Sequence, residues 1–527
     1  MARVLRRRVC IAIVAALGFA FAGAATASAD VLGATVSATP TGQTMAPGFV
    51  GVSFEYRALH SYTGRDPLAV DPVLLGLLRG LAPGQPPVIR IGGDSTDGSW
   101  WPIRGMIPPG GVYYPITKGW LRTTQALARD LNAKLILGIN LAAGRPALAA
   151  AEGRALMEGI GRRYIDALEI GNEPDLYGVF PWYRDRRGHI YRARGRGYDM
   201  SAFTTQFTQW SKVLPSLPLA GPALSGPAWM GGLGRFLAAE RQVKVVTYHR
   251  YALRACVTDP RAPGFPSIPN LLADGASAGL AAPIARYARI AHQHGLPFRV
   301  AEMNSASCQG GKGVSDTFAS ALWALDTMFN FAAVGVDGVN VHMLPGSNYE
   351  LFTVSHSSSG VWQAFVHPEY YGLAMFAQAF PPGARLLPVT GAGGTNSAVK
   401  LWATQGSDGA VRVTLINQDT LNEHDVQVRV PAATTAGTLE TLQSPSIGAT
   451  SGVTLGGQSY GAETMTGTLP APALPAVAPV GGVYTVALAP GSAALLTIGG
   501  STTPASGGSG GGSGGVGPGG GTPLTTP

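Results

Sequence analysis

Over residues 49–380 strand-like segments alternate with helix-like ones eight times, and after about residue 381 the pattern switches to short period-two strands. Two glutamates also stand where apolar strands run out into loops. These observations predict an α/β protein: a (β/α)8 TIM barrel followed by a small antiparallel β-sandwich. Alternation of this kind requires right-handed crossovers and a parallel sheet, and the segment length suits a closed barrel with long loops. The rival is a doubly wound open sheet. It is disfavoured because no glycine-rich turn opens a helix after a strand with a ribose-binding acid downstream; Gly310, Gly311 and Gly313 follow a strand but lack that unit.

The elements follow in order. Residues 31–36 read as a short strand and 49–55 as the first barrel strand, which ends in polar residues. Residues 71–81 are apolar at helical spacing with Asp71 as N-cap and Pro72 at the first position, and 87–92 form the second strand. The series continues with a helix over 119–131, a strand over 134–140, a helix over 147–160 and a strand over 164–170. It goes on with helix 200–214, strand 219–222, helix 231–239, strand 243–249, helix 276–294 and strand 298–302. An amphipathic helix over 315–333, capped by Ser315, precedes strand 338–341, and a last helix runs over 368–380.

Segments 398–403, 411–416, 426–430, 483–488 and 493–498 alternate in period two between Gly, Asp and Asn turns, and form the sandwich. The expected division is 30–380 for the barrel, with 30–46 a candidate extra piece of the sandwich, 381–500 for the sandwich and 501–527 for a Gly/Ser/Thr/Pro tail unable to bury a core. Residues 1–29 read as a signal peptide. Arg3, Arg6, Arg7 and Arg8 precede an apolar run, and Ala27-Ser28-Ala29 offers a cleavage site near Ala29. The expectation is export, to the medium or the cell wall, with no membrane span, since no later apolar run is long enough.

Of the 38 basic residues four lie in that leader, leaving 34 against 30 acidic, a net of +4. A balance this small argues against a nucleic-acid partner. Cys10 also leaves with the leader. Cys256 and Cys308 remain, an even pair expected to bond in an oxidising compartment, with two free buried thiols as the alternative. No pattern speaks to oligomeric state.

Glu173, in Gly171-Asn172-Glu173-Pro174, follows the buried fourth strand, and Glu302 closes the seventh. In a parallel barrel the carboxyl ends of the strands carry the chemistry, and two carboxylates there can flank one scissile glycosidic bond. Glu173 needs a raised pKa to protonate a leaving oxygen, with Asn172 beside it for a sugar hydroxyl. Glu302 must stay ionised about 5 to 5.5 Å away to attack the anomeric carbon. The plainer readings are a loop-capping Glu173 and a Glu302 simply paired with a base such as Arg90, although such a partner would also keep a nucleophile charged.

Ser53, Glu55, Asp94, Ser95, Asp97, Asn140, His249, Tyr251 and His342 fall at strand ends on the same rim, each more ordinary as a loop residue than as a sugar contact. Tyr251 is the strongest, as a phenol able to hold a nucleophilic carboxylate. His249 and His342 lack ligand spacing, and no metal or cofactor is expected. Trp100, Trp101, Tyr113, Tyr114, Trp182, Tyr183 and Tyr349 are candidates for stacking on sugar faces or for packing.

The chain resembles glycoside hydrolase family 79, the β-glucuronidase and heparanase family of clan A. The resemblance is carried by Gly51-Val52-Ser53-Phe54-Glu55, Arg90-Ile91-Gly92-Gly93-Asp94-Ser95-Thr96-Asp97, Glu169 to Pro174, Thr247-Tyr248-His249-Arg250-Tyr251, Ala301-Glu302, Ser315-Asp316-Thr317-Phe318-Ala319 and Gly346-Ser347-Asn348-Tyr349. It implies Glu173 as acid/base, Glu302 as nucleophile, retention of configuration and no cofactor. Asn172 and Asp94 match positions used for sugar hydroxyls, and Tyr349 with the Gly310-Gly311 backbone matches the region that holds a uronate carboxylate; Glu55 joins them as a candidate substrate contact. The family often has a tyrosine shortly after the nucleophile, where this chain reads Ser305-Ala306-Ser307-Cys308-Gln309.

The activity implied is that of a secreted retaining hydrolase of β-linked glucuronides or uronic-acid glycans. The alternatives are a clan A β-glycosidase for neutral sugars and a non-catalytic glycan-binding surface protein. Chain-end against internal cleavage rests on loop shape.

Overall fold

A computed structural model describes residues 30–391, 398–431 and 433–499. The expected leader and the glycine-rich tail lie outside the described residues. Eight parallel strands close a barrel: β1 (Val50–Glu55), β2 (Val88–Gly92), β3 (Lys134–Ile139), β4 (Ile165–Ile170), β5 (Leu219–Leu224), β6 (Val243–Arg254), β7 (Phe298–Ser307) and β8 (Gly338–Met343). Each pairs with its neighbours in sequence and β8 returns to β1, so no edge is left open. Their apolar runs are buried on both faces, which explains why the pattern is continuous rather than alternating.

The surrounding helices start where capping chemistry allows. Asp71 accepts from the Val73 N–H at 2.8 Å ahead of Pro72–Leu81, and Asp199 from the Ala202 N–H at 2.9 Å ahead of Met200–Val213. Two expectations fail here. The helix over 276–294 is broken into Ala278–Ala281 and Ala285–Gln293 by a 3-10 turn at Ala282–Ile284, where Pro283 has no N–H to continue an α-helix. Ser315 caps nothing: the helix is Phe318–Ala333, and its first free donors, Phe318 N and Ala319 N, go to Ala449 O and Ile447 O of the C-terminal region.

Two strands outrun their predicted ends. β6 passes His249 to Arg254 and β7 passes Glu302 to Ser307, because the two keep pairing above the barrel, with His249 opposite Glu302 and Arg254 opposite Ser307. The Cys256–Cys308 disulfide ties the tip of this ribbon, with 5.8 Å between the Cα atoms.

Beyond the barrel, two sheets pack face to face. One holds Val389–Gly391, Asp30–Val36, His424–Arg429 and Val483–Leu488 in that order; the other is built on Val399–Gln405, Val411–Asn417, Ser492–Ile498 and Gly437–Gln443. Val426, Val428, Tyr484, Val486, Val413, Leu415 and Leu496 are buried between them. The sandwich is not wholly antiparallel as expected. Asp30–Val36 runs parallel to His424–Arg429, and since no hairpin joins the two, nothing forces the antiparallel sense. Trp402 couples sandwich to barrel, donating to Asp326 Oδ1 at 2.8 Å and stacking on Phe329 at 5.3 Å. Among the described residues no helix is long and apolar enough to cross a membrane.

Candidate active site

The site is assembled at the carboxyl ends of the strands, around a buried arginine. Arg90 lies on β2 with its side chain fully enclosed, and Gly92, two residues on, leaves room for it: a Cβ there would fall 2.6 Å from the Arg90 Cζ. Its Nε donates to Glu169 Oε2 at 2.6 Å, its Nη1 to Glu302 Oε2 at 2.7 Å and Ser53 Oγ at 3.0 Å, and its Nη2 to Asn172 Oδ1 at 2.9 Å. One planar cation thus holds groups from β1, β4 and β7 and from the turn after β4.

That turn is tightly specified. Gly171 has φ +80°, and a Cβ there would lie 2.8 Å from the Tyr177 hydroxyl oxygen. Glu173 itself adopts φ +50°, an uncommon state for a glutamate, with Pro174 disfavouring the right-handed alternative. The Glu173 N–H donates to Ala223 O at 3.0 Å, and Asp97 accepts from the N–H groups of Leu141, Ala142 and Asn172 and from the Tyr177 hydroxyl. The loops after β2, β3 and β4 share that one carboxylate.

Glu173 and Glu302 face one another. His249 Nδ1 is 3.1 Å from Glu173 Oε1 and 3.9 Å from Glu302 Oε2, and the oxygen of Glu173, the nitrogen of His249 and the oxygen of Glu302 all fall within 4.8 Å of one another. The Tyr251 hydroxyl donates to Glu302 Oε1 at 2.9 Å. His342 sits between acids, 3.8 Å from Glu302 and 3.8 Å from Glu55. Glu55 accepts from the Asp94 and Ser95 N–H groups and the Ser95 hydroxyl, and Asn172 Nδ2 reaches Asp94 Oδ1 at 3.4 Å.

These surroundings split the two acids. Burial pushes Glu173 up to about 7, with His249 moderating the rise and Glu302 and Asp94 adding to it. Burial acts on Glu302 in the same sense, but His342, His249, Arg90 and the Tyr251 hydroxyl together hold it well below the usual carboxylate range. Glu55 rises to about 7 through burial and the charge of Asp94; Asp94 rises to about 6 through desolvation and the charge of Glu302. Two facing carboxyls, one protonated near neutrality and one ionised, are equipped to give a proton and to attack. Glu173, His249 and Glu302 also offer three ligand-type atoms. An ion bound there would compete with Arg90, which donates to Glu302 Oε2 at 2.7 Å.

Other sequence candidates are placed as follows. Tyr349 is buried, its ring 6.3 Å from Tyr251 and 6.0 Å from His342. Gly310 packs against the Tyr349 backbone, where a Cβ would lie 2.9 Å from the nitrogen. The Gly311 N–H is spent on Ser315 Oγ at 3.0 Å, and Ser305 also donates to that hydroxyl, at 2.8 Å. Asn140 is scaffold, donating to Asp97 O and Ser99 O. Trp100 is buried, whereas Tyr113 is exposed at the mouth. Sequence reasoning gave no role to Glu169 and left His249 and His342 as ordinary rim residues. The available signal was a glutamate and an arginine, Glu169 and Arg90, each inside an otherwise apolar strand.

Residues 401–495 match a sequence model described as the glycosyl hydrolase family 79 C-terminal beta domain. A β-glucuronidase of Neurospora crassa is 24% identical over 63% of this chain and 63% of its own length. The C-terminal region of the chain is thus similar to that of glycoside hydrolase family 79. A β-glucuronidase of Aspergillus niger is 30% identical over 23% of the chain and 22% of its own length, so the chain matches less than two thirds of the length of either relative. Among solved structures, a 4-O-α-L-rhamnosyl-β-D-glucuronidase from Fusarium oxysporum 12S superposes with a TM-score of 0.71 at 19% identity, covering 89% of this chain and all of that one. A GH51 arabinofuranosidase from Xanthomonas axonopodis pv. citri gives 0.62 at 17%, over 89% and 100%. At such identities the structural likeness speaks for the fold, the barrel with its β-rich C-terminal region.

Proposed function

We propose that the chain is an exported, retaining glycoside hydrolase acting on β-linked glucuronides or uronic-acid glycans, with Glu173 as acid/base and Glu302 as nucleophile. The observation that carries the reading is the facing pair: carboxyl oxygens within 4.8 Å, on separate strand ends, in surroundings that push Glu173 up and hold Glu302 down. So short a gap leaves no room for a water between carboxylate and sugar, which favours direct attack over inversion. Glu302 attacks the anomeric carbon while Glu173 gives its proton to the departing oxygen; Glu173 then removes a proton from water, which displaces Glu302. Arg90 and Tyr251 hold the attacking carboxylate ionised and aimed. His249 bridges the pair and stabilises negative charge on either side as the proton moves.

The uronate reading draws on the two β-glucuronidase relatives. Asn172, Asp94 and Glu55 are the groups for sugar hydroxyls, with Tyr349 and the Gly310 backbone for the carboxylate. One observation favours a neutral sugar instead: the Gly311 N–H is occupied and no phenol follows the nucleophile, so fewer donors face a carboxylate. Export is supported by the N-terminal pattern and the Cys256–Cys308 bond. The experiment is mass spectrometry after incubation with a 2-fluoro-glucuronyl inactivator, with Glu302 labelled as the expected result. Labelling elsewhere overturns the mechanism, and turnover confined to neutral chromogenic glycosides overturns the sugar.

A further inference from the structure

The loop that follows Glu173 carries a feature the mechanism does not use. Residues 182–197 hold six arginines and one aspartate, a net of five positive charges, more than the whole of residues 30–527. They form a hairpin, Tyr183–Arg184 against Ile190–Tyr191. Arg194 is structural: it binds Leu141 O, Ala142 O and Gln206, and lies over the rings of Tyr177 and Tyr198. The other five, Arg184, Arg186, Arg187, Arg192 and Arg196, are exposed, and none of them has a carboxylate within 4.0 Å among the described residues. The one acid of the segment, Asp185, is spent on His189, Tyr191 and the Arg187 N–H.

The hairpin is held firmly. Tyr183 stacks on Tyr191 at 4.7 Å, and Trp182 meets Tyr183 edge-on at 5.3 Å. The loop after β2 abuts it, since a Cβ on Gly111 would lie 2.7 Å from Trp182 and 2.8 Å from Tyr183. That loop leads back through exposed Tyr113, whose ring lies against Gly98 and within the field of Asp94 and Glu55, to the sugar-facing acids. Aromatic side chains on these two adjoining loops therefore lie between the acids of the cleft and five guanidinium groups that have no carboxylate partner among the described residues. Guanidinium forks match carboxylate and sulfate oxygens, and aromatic faces suit sugar rings. Fixed like charges held together without partners also repel one another, a cost that a bound polyanion removes.

We infer that this hairpin is a docking platform for an acidic polysaccharide, a chain bearing carboxylate or sulfate at regular intervals along its sugars, which it receives on the side of Glu173 where the leaving group departs. The inference rests on the proposed glycosidase reading for its direction but not for its binding. Binding is read with immobilised polygalacturonate and hyaluronan, dextran as the neutral control, and single-stranded DNA and anionic vesicles as other polyanions. The variants are R184S/R186S/R187S/R192S, and R186S/R187S alone, whose side chains make no bond to the protein among the described residues.

Expected are retention on the polyuronates at low salt that falls steeply as salt rises, no retention on dextran, at least tenfold weaker binding of the quadruple variant and an intermediate loss for the double. Turnover of a small phenyl glycoside should stay within about twofold, so a failed sugar assignment leaves this test readable. Unchanged binding in both variants, equal retention on dextran, or stronger binding to DNA or vesicles than to the polyuronates overturns the inference.

Discussion

Replacing His249 by phenylalanine tests the electrostatics of the pair directly. The ring nitrogen at 3.1 Å lowers the pKa of Glu173 from what burial alone would impose, and the other nitrogen, Nε2, is buried without a partner, so a phenyl ring of similar size strands no second group. A hydrogen bond to a charged group contributes about 1.5 to 3 kcal/mol. At about 1.4 kcal/mol per pH unit, its loss raises the Glu173 pKa by about one to two units. In the proposed mechanism Glu173 acts first as a proton donor, so activity is expected to fall above its pKa. The basic limb of kcat/KM should therefore move from near pH 7 to about 8 or 9. His249→Asn, which keeps a neutral hydrogen bond but no charge, should shift it by less than the phenylalanine variant. The assay is the pH dependence of kcat/KM on a phenyl glycoside of the preferred sugar, where the poor leaving group makes protonation limiting. A limb that stays in place, or moves to lower pH, refutes the argument.

Glu173→Gln should lower kcat/KM on poor leaving groups by about 10²- to 10⁴-fold and abolish the basic limb, while on a dinitrophenyl glycoside, whose leaving group needs no proton, azide should speed turnover and yield a glycosyl azide detected by mass spectrometry. Arg90→Met leaves Glu169 buried without its cation and should cost about 3 to 5 kcal/mol in denaturant unfolding; Arg90→Met with Glu169→Gln should recover part of that loss but not the activity, since Glu302 still lacks its guanidinium partner. Glu369 is enclosed, neither oxygen has a partner among the described residues, and burial lifts its pKa. The folded state keeps this proton where the unfolded chain releases it, so stability falls as pH rises above the unfolded value of about 4.3. Glu369→Met should therefore be more stable than the parent at pH 7, with a gap that narrows towards pH 4.

The barrel was legible because its strands are short apolar runs divided by capped helices, and Asp71 with Pro72 shows how directly a cap can be read. The placement of Glu173 and Glu302 on one rim was legible for a related reason: an acid closing an apolar strand has few places to be. The strand lengths of β6 and β7 were not, because pairing above the rim depends on a neighbour distant in sequence, and polar residues such as His249 and Asn304 look like a strand's end. Nor was Arg90's multiple pairing, since period-two alternation says that a side chain points into the barrel but not which three strands meet there. Ser315 misled because a serine ahead of an apolar run has the form of a cap, while the donors it was meant to satisfy reach across to Ala449 and Ile447 instead.

Ribosomes deliver Asp30–Val36 before any barrel strand, yet its backbone partners are residues 389–391 and 424–429. It is the seam of the garment, sewn last. All eight staves of the cylinder emerge before that seam can close, and in the interval the strand presents bare N–H and C=O groups together with Ala34 and Val36, both buried in the finished fold. Until those partners are made, this waiting ribbon is an open edge available for mispairing.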